Sequence, residues 1–201
     1  MALTLGLAGC VQHAPPAQTG PDLSTSGIKA ASEMLRSEGK REQSNALENG
    51  AVSRDEYSSL VASARGCIER KGWHTTEPQL SPVDGKLLLF MVTHADDKVE
   101  RERSKADSAY CKDKFLTVAE AVYQATAPTR MDPKLRDKAA ECLQYEGYEV
   151  SKKARTPEAM AGPNRLKADG SPSARSSKTM DCIVDAQGIL YPELPYAIVS
   201  Y

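Results

Sequence analysis

The chain is poor in aromatic residues, histidine and long apolar runs, and each shortage narrows the classes of function. Aromatic residues make up 5% of its 201 residues, with a single Trp, and there are only three His. Few histidines are therefore present to serve as catalytic residues. The longest strongly apolar run, Leu87 to Val92, has six residues, far fewer than the roughly 20 that a membrane-spanning helix needs.

Neither sign of charge predominates, because the chain has 26 Lys and Arg residues and 27 Asp and Glu residues, which gives a net charge of -1. Nucleic-acid binding draws much of its affinity from a basic surface that displaces counterions, so no nucleic-acid partner is expected. The sequence contains no Gly-x-Ser-x-Gly elbow, phosphate-binding loop, His-Glu-x-x-His pair or dinucleotide fingerprint. We therefore expect neither an enzyme nor a cofactor.

Leu7-Ala8-Gly9-Cys10 follows a short apolar stretch and resembles the lipobox of bacterial lipoproteins. In that family a dedicated signal peptidase cleaves before the cysteine, which is lipidated and becomes the new N-terminus. The resemblance implies that residues 1–9 are a signal peptide, that Cys10 is the lipidation site, and that the protein is anchored on the extracytoplasmic face of the cell membrane. Because no Lys or Arg precedes the apolar stretch, we expect the natural start to lie upstream of Met1.

Residues 10–50 are predicted to link this anchor to the folded part of the protein. Residues 11–26 combine Pro, Gly and Ser with few apolar groups, so burial would not offset the entropy of ordering them. This composition predicts a flexible tether. A short helix is predicted over Ile28 to Leu35, because Gly39 and Asn45 interrupt any longer helix in this segment.

Four cysteines remain after Cys10, and an even number in an exported chain indicates disulfide bonds, because that compartment is oxidising. Three pairings are open to Cys67, Cys111, Cys142 and Cys182. The alternative is zinc, whose ligands normally cluster as Cys-x2-Cys or as a His pair. The sequence has no such cluster, so we expect no metal site.

Similar surroundings of two cysteines favour one of the three pairings. The segments Cys67 to Trp73 and Cys142 to Tyr148 both read Cys, an aliphatic residue, three further residues, Gly and an aromatic residue. This similarity is typical of a degenerate duplication. Since each copy should carry its own bridge, we predict Cys67–Cys111 and Cys142–Cys182.

The predicted fold is therefore α+β, with two disulfide-stapled units of helix, strand and helix. Unit one spans 51–127. Ser53 and Glu56 have the spacing of a capping box, and a helix with one apolar face follows. Strands are predicted over Trp73 to Thr76 and Lys86 to His94, and a charged helix that carries Cys111 completes the unit.

Unit two spans 128–201 and is a shorter version of unit one. Asp132 and Pro133 predict a helix start, and Tyr148 to Lys152 is predicted as a strand. Residues 155–176 are rich in Pro, Gly and Ser and are predicted to be mostly loop. A helix around Lys178 to Ala186 carries Cys182, and the tail beyond Ala197 is predicted to be extended.

The pattern Gly50 to Tyr57, followed by Cys67 and Gly72-Trp73, is similar to a family of small exported proteins and lipoproteins of actinobacteria, most of them without an assigned function. The resemblance covers roughly residues 46–125 and implies a fold more than an activity. The order of anchor, tether and stapled repeat is also similar to that of lantibiotic self-immunity lipoproteins of actinomycetes, which protect a producer at its membrane surface. No binding residue of that family carries over to this chain.

Unit two holds the residues that we favour for ligand binding, since Tyr offers amphipathic contact area and the loop of this unit is locally basic. The candidates are Tyr145, Tyr148, Tyr191, Tyr196, Arg165, Lys167 and Arg175. We expect a non-enzymatic binding protein for a peptide or a small envelope ligand. The tyrosines suit a cationic amphipathic peptide, which we favour, and the basic residues suit an anionic lipid-linked ligand. An exported hydrolase and a structural subunit of an envelope complex are the alternatives.

Overall fold

The structure, a computed structural model, describes residues 22–93 and 97–195. Cys10, Tyr196 and the predicted extended tail lie outside the described residues. The described chain forms eight helices and four short strands, so the fold is mixed helix and strand, as predicted. The helices are α1 Thr25–Ser37, α2 Arg41–Leu47, α3 Arg54–Arg70, α4 Lys98–Phe115, α5 Thr117–Thr126, α6 Pro133–Tyr145, α7 Pro157–Ala161 and α8 Ala174–Leu190. The strands are β1 His74–Thr75, β2 Gln79–Leu80, β3 Leu88–Leu89 and β4 Val92–Thr93.

The four strands pair antiparallel as two short ladders, β1 with β4 and β2 with β3. His74 lies opposite Thr93, and Gln79 lies opposite Leu89. The register therefore shifts by one residue between the two ladders. For this reason the described part of the strand predicted over Lys86 to His94 is not continuous: it forms two short strands separated by Phe90 and Met91, although the Met91 carbonyl still accepts the backbone N–H of Thr76 at 3.0 Å.

Local sequence signals set the start and the buried face of α3. Ser53 Oγ accepts a hydrogen bond from the backbone N–H of Glu56, and the Glu56 carboxylate accepts one from the backbone N–H of Ser53 at 2.8 Å. This is the predicted capping box. The buried residues of the helix are those that the periodicity predicted, namely Tyr57, Leu60, Val61, Ala64, Cys67 and Ile68.

The first core includes residues on the N-terminal side of the predicted boundary at residue 51. Leu35 of α1 and Leu47 of α2 are fully buried and belong to the same apolar cluster as Tyr57 and Val122. The segment for which we predicted a tether and one short helix thus contributes two helices to this core. Helix α1 packs against α2, and α2 packs in turn against α3 and α5.

A second core lies between α6 and α8. Leu135 and Leu143 of α6 pack with Ile183 of α8 and with Met160 of α7, and all four are fully buried. Asp132 caps α6, and Pro133 occupies its first turn, as predicted.

The chain between α6 and α8 differs from the prediction. The strand predicted over Tyr148 to Lys152 is wrong, since these residues pair with no other strand in the described chain. Side chains bond two of their carbonyl oxygens instead: Arg175 Nη2 donates to that of Glu149 at 2.7 Å, and Arg136 Nη1 donates to that of Lys152 at 3.1 Å. The predicted loop contains the short helix α7, and the last helix is longer than the predicted Lys178 to Ala186. Unit two is therefore helical with connecting loops.

Each disulfide joins two helices that pack against each other. Cys67 of α3 is bonded to Cys111 of α4, and Cys142 of α6 is bonded to Cys182 of α8, with Cα–Cα distances of 5.7 and 5.6 Å. This confirms the predicted pairing. Disulfides of this kind are typical of proteins in an oxidising, extracytoplasmic compartment.

The repeated Cys-x4-Gly-aromatic motif is a helix end. Gly72 and Gly147 follow α3 and α6 with φ of +93° and +83°, a conformation that favours glycine. The N–H of the aromatic residue after each glycine donates to the carbonyl of the aliphatic residue five positions earlier, at 3.4 and 2.9 Å. That bond defines a Schellman motif, whose apolar contact joins the same two residues. A shared helix ending beside a disulfide therefore accounts for the similarity of the two segments.

A side chain from another helix caps α5. The apolar periodicity that runs from Cys111 to Val122 is interrupted at Leu116, whose backbone is not helical. Gln43 of α2 supplies the missing acceptor, because its Oε1 lies 2.8 Å from the backbone N of Val118 and 3.2 Å from that of Ala119. At the other end of α5, the ammonium of buried Lys86 donates to the carbonyls of Gln124 and Ala127. Both termini of α5 are thus fixed from outside the helix.

Candidate functional site

The tyrosines predicted to bind ligand lie at opposite ends of α6. Tyr191 donates to Oδ1 of Asp132, the N-cap of α6, at 2.7 Å. Tyr145 is the last residue of the helix, and Tyr148 follows it closely. Because α6 has 13 residues and rises 1.5 Å per residue, the two groups are separated by about 20 Å. The structure therefore does not combine them into one site.

The two tyrosines at the C-terminal end of α6 differ in environment. Tyr145 is 93% exposed and, within the described chain, belongs to none of the apolar clusters. Tyr148 is half-buried on the second core, and the Arg175 guanidinium carbon lies 5.8 Å from the centroid of its ring. Tyr148 also lines a shallow depression with Gln144 and Val150. Neither tyrosine faces an enclosed cavity.

Arg175 has a structural role in the fold. Its Nε and Nη2 donate to the carbonyl oxygen of Met160 at 3.2 and 3.0 Å, and Nη2 also donates to that of Glu149. The guanidinium thus holds the segment between α6 and α7 against α8. A ligand that used Arg175 would have to replace these bonds, which makes it a poorer anion-binding residue than its position in the sequence indicated.

Tyr191 belongs to a cavity of about 450 Å³ between the β2–β3 turn and the N-terminus of α6, which Ser81 and Asp132 also line. Burial raises the pKa of Asp132, but hydrogen bonds from the Tyr191 hydroxyl and from the first backbone amides of α6 outweigh burial and hold that pKa below its usual value. Burial and the Asp132 carboxylate raise the pKa of Tyr191 to about 12. Oδ1 of this carboxylate already accepts three hydrogen bonds. Within the described residues, the other carboxylate oxygen and the buried Ser81 hydroxyl are among the polar groups left for a ligand in this cavity.

A second cavity of about 450 Å³ lies between the turn at 166–172 and α8, and we call it the α8 groove. Its lining residues are Leu166, Gly170, Pro172, Ser176, Ser177, Met180 and Asp181. The turn is fixed by a β-bridge between Leu166 and Pro172, and by a bond from buried Ser176 Oγ to the carbonyl of Arg165 at 2.7 Å. The groove therefore has two defined walls, one from the turn and one from the helix.

The walls of the α8 groove differ in charge. Leu166, which is 49% exposed, and half-buried Met180 give the groove an apolar surface. Asp181 and Asp185 lie one helical turn apart on α8 and are both exposed, and no ion pair involves either of them within the described chain. The predicted residues Arg165 and Lys167 flank Leu166 in the sequence but are not among the residues that line the groove. An amphipathic ligand would thus meet apolar side chains beside an acidic helix edge.

The sequence contains a partial signal for this groove. Asp181 and Asp185 have the i, i+4 spacing that puts two side chains on one helix face, and Leu166 is an apolar residue in a polar loop. Their proximity depends on how the turn docks on α8, which no local pattern encodes. The sequence-based prediction relied on the number of tyrosines in unit two, and the described tyrosines among them lie at the ends of α6 and not in this groove.

Among the residues that the structure describes, no group of three His, Cys, Asp or Glu is placed to hold a metal ion. In the same residues no helix is long and apolar enough to span a bilayer. Comparisons with known proteins return no match to a protein-family model, to a curated protein or to a solved structure. The function is therefore inferred from the geometry of the cavities.

Proposed function

We propose that this protein is a lipid-anchored extracytoplasmic lipoprotein that binds a cationic amphipathic peptide in the α8 groove and does not turn it over. Sequestration of a lantibiotic at the surface of the producing cell is the concrete form of this proposal. The resemblance of residues 7–10 to a lipobox supports Cys10 as the anchor, and the two disulfides agree with an extracytoplasmic location. Tethering raises the local concentration of a binding site at the membrane that such a peptide attacks.

The observation that carries the proposal is the apolar surface beside an acidic helix edge in the α8 groove. Apolar side chains of a bound peptide would cover Leu166 and Met180, and removal of apolar surface from water would supply most of the free energy of binding. Peptide Lys or Arg side chains would lie near Asp181 and Asp185, where the charge pairs mainly steer association and fix orientation. A cationic ligand is favoured over an anionic one because the charged residue that lines the groove is Asp181, whereas Arg165 and Lys167 are not among the lining residues and Arg175 is engaged by backbone carbonyls.

A titration of the full chain carrying Cys10→Ser with a purified cationic lantibiotic tests this proposal. We expect saturable amide shifts in NMR spectra for residues 166–181. Met180→Ser should weaken binding at least tenfold, because it removes apolar surface from the groove. Asp181→Asn combined with Asp185→Asn should weaken it about threefold to tenfold at low salt, and less at high salt, where exposed charges are screened.

Val99→Ser provides the matched control, because Val99 is an exposed apolar residue, 75% exposed, on α4. The Val99→Ser variant should bind the lantibiotic with the same affinity as the chain without this substitution. Shifts confined to Tyr145 and Tyr148, or an unchanged affinity in Met180→Ser, would contradict the assignment to the α8 groove. A peptide recovered in altered chemical form would favour the exported hydrolase instead.

A further inference from the structure

A third cavity lies between the β3–β4 segment and helices α4 and α5, and it has a different character from the α8 groove. Its volume is about 190 Å³, below the roughly 300–1,000 Å³ of sites for drug-sized ligands, so it suits a group no larger than one side chain. The residues that line it are Leu87, Leu88, Leu89, Phe90, Lys112, Leu116, Glu120 and Pro195. The lining side chains are thus apolar except for one ammonium and one carboxylate.

The Glu120 carboxylate is held rigidly from the core side. Its Oε2 accepts a hydrogen bond from the Tyr57 hydroxyl at 2.9 Å, and that hydroxyl accepts the backbone N–H of Leu88 at 3.0 Å. The ring of Tyr57, which is fully buried, stacks on Tyr123 with centroids 4.3 Å apart. Glu120 itself lies on α5, whose two ends Gln43 and Lys86 fix. The Glu120 carboxylate is therefore preorganised, because a buried tyrosine holds it and the helix that carries it is fixed at both ends.

The charge of Glu120 is incompletely compensated. Within residues 22–93 and 97–195, no Lys or Arg nitrogen forms an ion pair with its carboxylate. Burial raises its pKa, and the hydrogen bond from Tyr57 and the more distant Lys112 offset that effect only in part. Glu120 is half-buried, and a carboxylate that is partly removed from water and has no cationic partner is costly, so a cation that entered this cavity would gain a favourable interaction.

The opposite wall already accommodates an ammonium group. Lys112 Nζ lies 5.3 Å from the centroid of the Phe90 ring, within the range in which a cation is attracted to an aromatic face. Lys112 is exposed overall, so its flexible side chain can move into solvent when another cation enters. A carboxylate, an aromatic face and apolar walls are the groups that recognise an ammonium or a guanidinium on an apolar stem.

We propose that this cavity is a binding site for a monovalent organic cation, a primary ammonium or a guanidinium carried on a short apolar stem. The cationic head bonds to the Glu120 carboxylate, the stem packs against Leu116 and Phe90, and the Lys112 ammonium is displaced. The site lies apart from the α8 groove. It goes beyond the proposed function and does not depend on it.

The test is a titration of the full chain carrying Cys10→Ser with n-butylammonium, and with n-butanol as the neutral probe of the same stem. Amide and methyl shifts of residues 87–90 report occupancy. We expect n-butylammonium to bind at least tenfold more tightly than n-butanol. Glu120→Gln should weaken n-butylammonium binding at least tenfold and leave n-butanol unaffected, because the amide oxygen can still accept the Tyr57 hydroxyl while the charge is gone.

Lys112→Ala provides a second variant with the opposite expectation. It removes the competing ammonium from an exposed position, so n-butylammonium should bind about twofold to fivefold more tightly. Glu141→Gln, which alters an exposed carboxylate on α6, should leave the affinity unchanged. Equal binding of the two probes, an unchanged affinity in Glu120→Gln, or weaker binding in Lys112→Ala would each overturn the proposal. None of these outcomes bears on peptide binding in the α8 groove.

Discussion

Gln43→Met tests whether α5 depends on a cap from another helix. Gln43 is fully buried, its Nε2 donates to the carbonyl of Asp113 at 2.7 Å, and its Oε1 accepts the amides of Val118 and Ala119. Methionine has a similar volume, so little cavity forms, but the three backbone groups lose their partner. At about 1 kcal/mol for each hydrogen bond, the free energy of unfolding should fall by about 3 kcal/mol. That sum includes the loss of the helix cap, which alone typically costs about 1 kcal/mol.

Urea unfolding followed by circular dichroism measures this change. The midpoint should fall with an unchanged slope, since the area exposed on unfolding stays the same, and Tm should fall by roughly 6–12 °C for a chain of this size. Gln144→Met is the control, because Gln144 is an exposed residue of α6, and its effect should stay within about 0.5 kcal/mol. If Gln43→Met matched this control, α5 would not depend on the cap, and the rigid placement of Glu120 would lose its explanation.

Three further changes have defined outcomes. Cys10→Ser should move the protein from the membrane to the soluble fraction, since acyl chains supply the affinity for the bilayer, and a variant that stayed membrane-bound would contradict the lipobox interpretation. Replacing Cys142 and Cys182 together by Ala should lower the free energy of unfolding by about 4 kcal/mol on the loop-entropy model, and an unchanged urea midpoint would refute it. Tyr191→Phe removes a bond that lowers the pKa of Asp132, so its destabilisation should be largest near pH 6 and shrink as the pH falls through the native pKa of this carboxyl. A pH-independent difference in urea midpoint would contradict this link.

Features encoded in a few neighbouring residues could be predicted from the sequence. The capping box of Ser53 and Glu56 is confirmed, and so is the Asp132 cap, because the groups that form each cap lie within four residues of one another. The glycines that end α3 and α6 are also confirmed, since the left-handed conformation is steric in origin. The disulfide pairing followed from the similarity of the segments that hold these glycines, which is itself a consequence of shared helix capping.

Predictions failed for features that depend on partners distant in the sequence. The strand predicted over Lys86 to His94 is broken by a register that the opposite strand sets. The segment Tyr148 to Lys152 finds no partner strand in the described chain, and Arg175, more than twenty residues later, bonds the carbonyl of Glu149. The break between α4 and α5 depends on Gln43, which lies about seventy residues earlier. No local pattern contains this information.

The candidate site shows the same limit. The four candidate tyrosines of unit two suggested one binding surface, but the length of α6 separates Tyr145 and Tyr148 from Tyr191. Arg165 and Lys167 lie beside the α8 groove because they flank Leu166, which lines it. Glu120 gave a weak signal, as a polar residue beside buried Ala119 and Tyr123 on α5, and its importance appears only when Tyr57 is packed against it.

The central claim is that the protein binds a cationic amphipathic peptide and leaves it intact. Native mass spectrometry of the full chain carrying Cys10→Ser, mixed with a purified cationic lantibiotic, measures both properties at once. We expect a one-to-one complex whose mass is the sum of the two components, and collisional activation should release peptide of unchanged mass. The absence of a complex, or the release of a peptide of altered mass, would contradict it.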